Sequence, residues 1–162
     1  MKKIVAMGLV AGMLCLTTAK AGIVDIAGTK YENAVNNLVQ NNVISGYPDN
    51  TFKPENLITR AEITTVITKY NKLSLLENVS SKFYDIENHW GKPYINTLSN
   101  LGFVAGYETG DFRPDNKVTY AEVSAMLLNS LGFKDEVSKL ETGWPYNYIN
   151  QIFYLGCTNI FT

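Results

Sequence analysis

Histidine is almost missing from this 162-residue chain, which has His89 alone, and cysteine occurs only as Cys15 and Cys157. One histidine leaves no Ser-His-Asp set and no histidine-rich metal cluster, so the usual constellations for hydrolytic or metal-assisted chemistry are not written here. Asp49-Asn50 followed by Glu55 hints at calcium. The spacing departs from the calcium-loop pattern, which needs alternating Asp/Asn, a glycine at six and a glutamate at twelve. No metal or other cofactor is therefore expected. A basic excess is also lacking, since the formal net charge is −1. A nucleic-acid binder would carry a basic stripe.

Long apolar runs are scarce as well. The one candidate, Ile4 to Leu16, is 13 residues long, short of the ~18–20 that span a bilayer. Preceded by Lys2-Lys3 and followed by Ala19-Lys20-Ala21, it reads as a secretory signal peptide over residues 1–21, with no stable membrane span after cleavage. Gly12-Met13-Leu14 before Cys15 lacks the small residues of a lipoprotein site. Cleavage removes three lysines and no acids, leaving 11 basic against 15 acidic residues and a net charge of −4. Cys157 then stands alone, which rules out a disulfide framework.

What the chain does have is repetition. Gly46-Tyr47-Pro48-Asp49-Asn50-Thr51-Phe52-Lys53-Pro54 and Ile58-Thr59-Arg60-Ala61-Glu62 recur sixty residues on. The second copies are Gly106-Tyr107-Glu108-Thr109-Gly110-Asp111-Phe112-Arg113-Pro114 and Val118-Thr119-Tyr120-Ala121-Glu122. Between 25–68 and 85–128, twelve of 44 aligned positions are identical without a gap, where chance would give roughly two or three. A fixed period signals supersecondary units, none of which buries its apolar face alone.

Each unit reads as helix, ordered loop, helix. Tyr31, Ala34, Val35, Leu38 and Val39 share one face of a first helix over residues 31–41, and Tyr94, Ile95, Leu98 and Leu101 repeat it. A second helix starts at Thr59 or Thr119. There Thr-x-x-Glu is a capping box, in which Thr59 and Glu62, or Thr119 and Glu122, satisfy each other's amides. Ile63, Val66, Ile67 and Tyr70 are expected on its buried face. The chain divides into a first unit at 22–71, a polar linker at 72–82, a second unit at 83–132, a polar linker at 133–143 and a partial third unit at 144–162. In the third, Trp144, Tyr148-Ile149, Ile152 and Leu155-Gly156 align with Trp90, Tyr94-Ile95, Leu98 and Leu101-Gly102 at a spacing of 54. The class is all-α.

Asp85-Ile86, His89-Trp90, Ile95, Leu98, Gly102, Gly106-Tyr107, Gly110, Phe112, Pro114 and Val118-Thr119-x-Ala121-Glu122, with the unbroken Thr59-Arg60-Ala61-Glu62 of the first unit, resemble the S-layer homology repeat. The resemblance implies tandem helix–loop–helix units in an incomplete pseudo-threefold bundle. It also implies a secreted, surface-held protein whose inter-repeat grooves bind cell-wall polysaccharide, often through a pyruvylated amino sugar, or else peptidoglycan. Carried onto this chain, it designates Arg60, Asp25, Asp85, Trp90, Gly46 and Gly106 as carbohydrate-binding.

Independently, Arg60 at the first helical position has no capping duty. Free amides and the helix dipole there favour an anion. A guanidinium can also grip a carboxylate in two places. The chain departs from the family at Tyr120 in place of the arginine, at Lys30 in place of tryptophan, and at Lys139 in place of aspartate. The expected function is a non-catalytic envelope anchor. The alternatives are a surface-layer assembly protein that binds protein subunits and a truncated targeting region of a wall enzyme. An apolar patch near Ile152, Phe153, Leu155 and Phe161 is expected to drive self-association.

Overall fold

The computed structural model describes residues 22–156. The signal peptide, Cys157 and Phe161 lie outside the described residues. Within them the chain is helical, with no strand. The helices are α1 (Glu32–Gln40), α2 (Arg60–Tyr70), α3 (Lys92–Asn100), α4 (Tyr120–Ser130), α5 (Lys134–Ser138) and α6 (Tyr146–Tyr154), and a 3₁₀ turn at Tyr84–Ile86 precedes α3. None is long and apolar enough to cross a membrane.

The core lies between units, because a short amphipathic helix finds its apolar partner in its neighbour. Helix α3 of the second unit packs on α2 of the first, and α6 packs on α4 in the same way. At the first joint, Ala61, Ile63 and Ile67 meet Ile86, Ile95, Leu98, Phe83 and Phe112. Burying each of the larger apolar side chains is worth about 1.5–3 kcal/mol. The second joint is a smaller cluster of Leu128, Val137 and Ile152 with Tyr120, Phe133 and Tyr148 against it. No helix comes before α1 among the described residues. Its Val35 is buried, yet residues 36–39 are partly or largely exposed where 96–99 of α3 are buried.

Three expectations change. The buried face of α2 is Ala61, Ile63, Thr64, Ile67 and Thr68, not the stripe through Val66 and Tyr70, and Tyr70 is exposed. Threonine can face a core because its hydroxyl bonds back to the preceding turn, as Thr64 does to the Ala61 carbonyl (2.7 Å) and Thr68 to that of Thr64 (2.8 Å). The segment 133–143 is no simple polar linker, for it contains α5, whose Val137 is fully buried. Ile152, expected in an exposed patch, is buried at the second joint, while Phe153 and Leu155 stay open. The segment 72–82 is strapped over α3, with the Leu76 amide donating to Thr97 Oγ1 and Asn96 donating to the Val79 carbonyl.

Candidate functional site

Both capping boxes form. Thr59 accepts from the Glu62 amide while the Glu62 carboxylate accepts from the Thr59 amide, and Thr119 with Glu122 does the same. The start of α2 is further tied to the second unit. The Arg60 amide donates to the Asn116 carbonyl and the Ala61 amide to that of Pro114, each at 2.9 Å, and the Val118 amide returns a bond to Ile58. The amides that sequence reasoning left open for an anion are therefore engaged by protein carbonyls.

Arg60 itself is turned inward and is only 3% exposed. Its Nε donates to the Phe112 carbonyl, one terminal nitrogen to Glu122 Oε1 at 2.7 Å, and the other to the Ala105 carbonyl at 2.9 Å. The guanidinium also lies over the Phe112 and Tyr107 rings, at 4.5 and 4.9 Å from their centroids. Glu122 thereby serves three partners at once: the α4 cap, Arg60 and the Tyr107 hydroxyl, which donates at 2.6 Å. Arg60 is a strut between units, and it does not line the groove described below. Tyr120, at the matching position, packs into the second joint against Phe153, so an apolar contact stands there in place of the polar strut.

Asp25 and Asp85 hold equivalent positions. Asp25 accepts from the amides of Phe52 and Lys53 at 2.8 and 2.7 Å, and Asp85 from those of Phe112 and Arg113 at the same distances. Each carboxylate clamps its own loop. Gly46 and Gly106 are required by close approach. A Cβ on Gly46 would stand 2.3 Å from Ile23 Cδ1 and 2.9 Å from the Thr51 carbonyl. One on Gly106 would stand 2.3 Å from Phe83 Cε1 and 2.6 Å from the Asp111 carbonyl.

The clamped loops hold Lys53 and Arg113 at φ +58°, a left-handed conformation that costs a non-glycine residue energy and persists only where its surroundings enforce it. Both cations lie over the tyrosine of their own loop, Lys53 at 4.5 Å from the Tyr47 centroid and Arg113 at 3.9 Å from that of Tyr107. Sequence reasoning missed this pair. The available signal was a basic residue between phenylalanine and proline in both units.

The first joint leaves a hollow of about 460 Å³ between the 43–47 connector, the 52–58 loop and α2, with Trp90 arriving from the second unit as one wall. Of the residues designated for carbohydrate, only Trp90 and Gly46 line it, joined by Glu62 from the cap set. Arg60, Asp25, Asp85 and Gly106 lie elsewhere. Trp90 is 56% exposed, an indole face held in place beside the His89 ring at 5.2 Å. His89 is anchored in turn. Its Nδ1 accepts from the Gly91 amide, which puts the proton of the neutral ring on Nε2, 3.2 Å from Asp115 Oδ1. A second hollow of about 270 Å³ is lined by Tyr84, Asp85, Glu87, Asn88 and His89.

The carboxylates are tuned by these bonds. Burial alone would raise Glu122, but the Tyr107 hydroxyl, the Thr119 amide and hydroxyl and the Arg60 charge outweigh it and hold the group below its ordinary 4.5. Asp25 follows the same logic, with burial raising it and the Phe52 and Lys53 amides bringing it below its ordinary value. Tyr107 is pushed up by burial and by its bond to Glu122. Among the described residues no group of three or more His, Cys, Asp or Glu is placed to hold a metal ion.

Comparison with known proteins agrees with this repeat geometry. The family model of the S-layer homology domain matches residues 22–64 and 82–124. A cellulosome-anchoring protein of Acetivibrio thermocellus is 40% identical over 102 residues, covering 60% of this chain and 23% of that protein. The S-layer protein EA1 of Bacillus anthracis is 32% identical over 85% of this chain and 17% of its own length. A cell wall amidase of Bacillus anthracis is 24% identical over 74% of this chain and 24% of its own length. The chain thus spans less than a quarter of each of these relatives.

Proposed function

The chain belongs to the S-layer homology domain family, and from that premise we propose that it anchors to wall glycan through the hollow closed by Trp90. It is a cell-envelope anchoring module, and its place is the cell surface. The observation that carries the finer reading is one exposed indole from the second unit facing a preformed hollow of the first. An apolar ring face against the C–H face of a sugar, with polar groups around it, is the arrangement in which small-ligand sites bind. The ligand is wall polysaccharide carrying an anionic or pyruvylated sugar, because the cations of Lys53 and Lys69 line the hollow.

The supporting groups follow from the repeat. Asp25 fixes the loop that presents Lys53, Gly46 lets that loop close on Ile23, and Arg60 sets the second unit so that Trp90 reaches the first. In this reading Asp25, Gly46 and Arg60 build the site and Trp90 touches the sugar. None of these steps is catalytic.

Co-sedimentation of the mature chain with purified wall sacculi tests the proposal, with Trp90→Ala beside Trp144→Ala. Trp144 is as exposed as Trp90 and does not line the hollow. Loss of binding in the first variant alone is expected, as is loss after acid stripping of the secondary polysaccharide. Equal binding by both variants refutes the groove. Binding that survives stripping assigns peptidoglycan as the ligand instead.

A further inference from the structure

We infer that Lys69 is the residue that makes this hollow select a negatively charged glycan, an inference that rests on the groove reading above. Glu62, Thr65, Val66 and Lys69 fall at i, i+3, i+4 and i+7 of α2 and form the helix face of the hollow. This is the face opposite the Ala61, Thr64 and Thr68 stripe that packs on α3.

The charges around the hollow are unequal in availability. Glu62 is held by the Thr59 amide. Lys53 is committed to Asp49 Oδ2 at 3.3 Å and to the Tyr47 ring. The Lys69 ammonium has no hydrogen bond or ion pair with any described residue, and the side chain is exposed. Its three donors therefore point to solvent at the edge of a partly apolar hollow that ends on an indole. An anionic substituent on a sugar stacked on Trp90 gains a charge-assisted bond there without displacing an existing partner.

The second unit supplies an internal comparison. Position 129 is the counterpart of 69, and it is asparagine. Its carboxamide donates to the Phe103 carbonyl at 3.3 Å and accepts from the Tyr148 hydroxyl at 3.2 Å. The neighbouring Met126 is buried, whereas its counterpart Val66 lines the open hollow. At this one helix position the side chain is neutral and bonded to the third unit's first helix in one joint, and cationic and open in the other. Charge selection resides in the first joint alone.

The test is binding of the mature chain to intact and to acid-stripped sacculi across a salt series, for wild type, Lys69→Gln, Lys69→Arg and Trp90→Ala. Thermal melts accompany each variant, and because Lys69 is exposed, both lysine variants are expected to melt with wild type. Lys69→Gln should weaken binding to intact sacculi about tenfold, the scale of one charge-assisted bond, and flatten its salt dependence, while Lys69→Arg retains both. If Trp90→Ala loses binding and Lys69→Gln keeps it with the wild-type salt slope, the groove stands and the role of Lys69 is overturned. If neither variant changes binding, the groove reading fails and takes this inference with it. A Lys69 effect that persists on stripped sacculi locates the anion in peptidoglycan.

Discussion

Replacing Arg60 by alanine separates two roles for the same residue. If Arg60 is a strut, Arg60→Ala strips Glu122 of its buried cation, leaves the Phe112 and Ala105 carbonyls without their donors, and removes a cation from two aromatic faces. Breaking a buried pair from one side costs about 3–5 kcal/mol. Glu122 keeps the Tyr107 hydroxyl and the Thr119 cap, which pulls the figure to the low end. Two lost hydrogen bonds at about 0.5–1.5 kcal/mol each pull it back up. The net expectation is a loss of about 3 kcal/mol, or roughly 6–12 °C in Tm for a chain of this size. Urea unfolding of the mature chain reads it directly. Arg60→Lys should recover less than half, since an ammonium cannot reach three acceptors in the planar geometry of a guanidinium. A variant that melts within about 0.5 kcal/mol of wild type, the range of an ordinary surface substitution, while losing wall binding would refute the strut and restore Arg60 as a ligand contact.

Further outcomes follow from the same geometry. Glu122 is held below its ordinary 4.5 in the fold, so the folded chain binds fewer protons there than the unfolded one. Its stabilisation is complete above pH 4.5 and disappears as pH falls through the lower folded value. Acid unfolding of Glu122→Gln should accordingly show a flatter limb below pH 4.5 than wild type, checked by circular dichroism. Gly106→Ala should cost about 1–3 kcal/mol by overpacking, because the new methyl meets Phe83 and the Asp111 carbonyl, and a urea midpoint measures it. Asp85→Ala leaves two loop amides without their acceptor and should cost about 2 kcal/mol, with amide exchange rising first at Phe112 and Arg113. Thr119→Ala should cost about 1 kcal/mol through the lost cap, visible as a shift in Tm.

The parts of the fold legible in the sequence are those governed by local chemistry. Thr-x-x-Glu needs only its own turn to form, and the apolar stripes of the first helices follow the helical period. The α2 face was misjudged because buried threonines satisfy themselves through their own backbone, so polarity was a poor guide to burial. Helix α5 was missed because five residues hold too little periodicity to register, and Val137 is buried in a cluster with Leu128 of α4 and Ile152 of α6. The site was harder for one reason. Arg60, Asp25 and Asp85 have strongly polar side chains that bond backbone groups 27 to 52 residues away, and a linear pattern of residue types cannot tell a backbone partner from a ligand. Trp90 was designated through the family resemblance rather than by any helical period, and it stands on the wall of the hollow.

The most direct test isolates the indole. With Trp144 replaced by phenylalanine, Trp90 is the sole fluorophore of its kind in the chain, and soluble polysaccharide released from sacculi can be titrated against it. Saturable quenching or a blue shift of Trp90 emission, with a dissociation constant matching sedimentation, is the predicted result. Wall binding by sedimentation with no change in Trp90 emission at saturation would contradict the groove as the anchoring site.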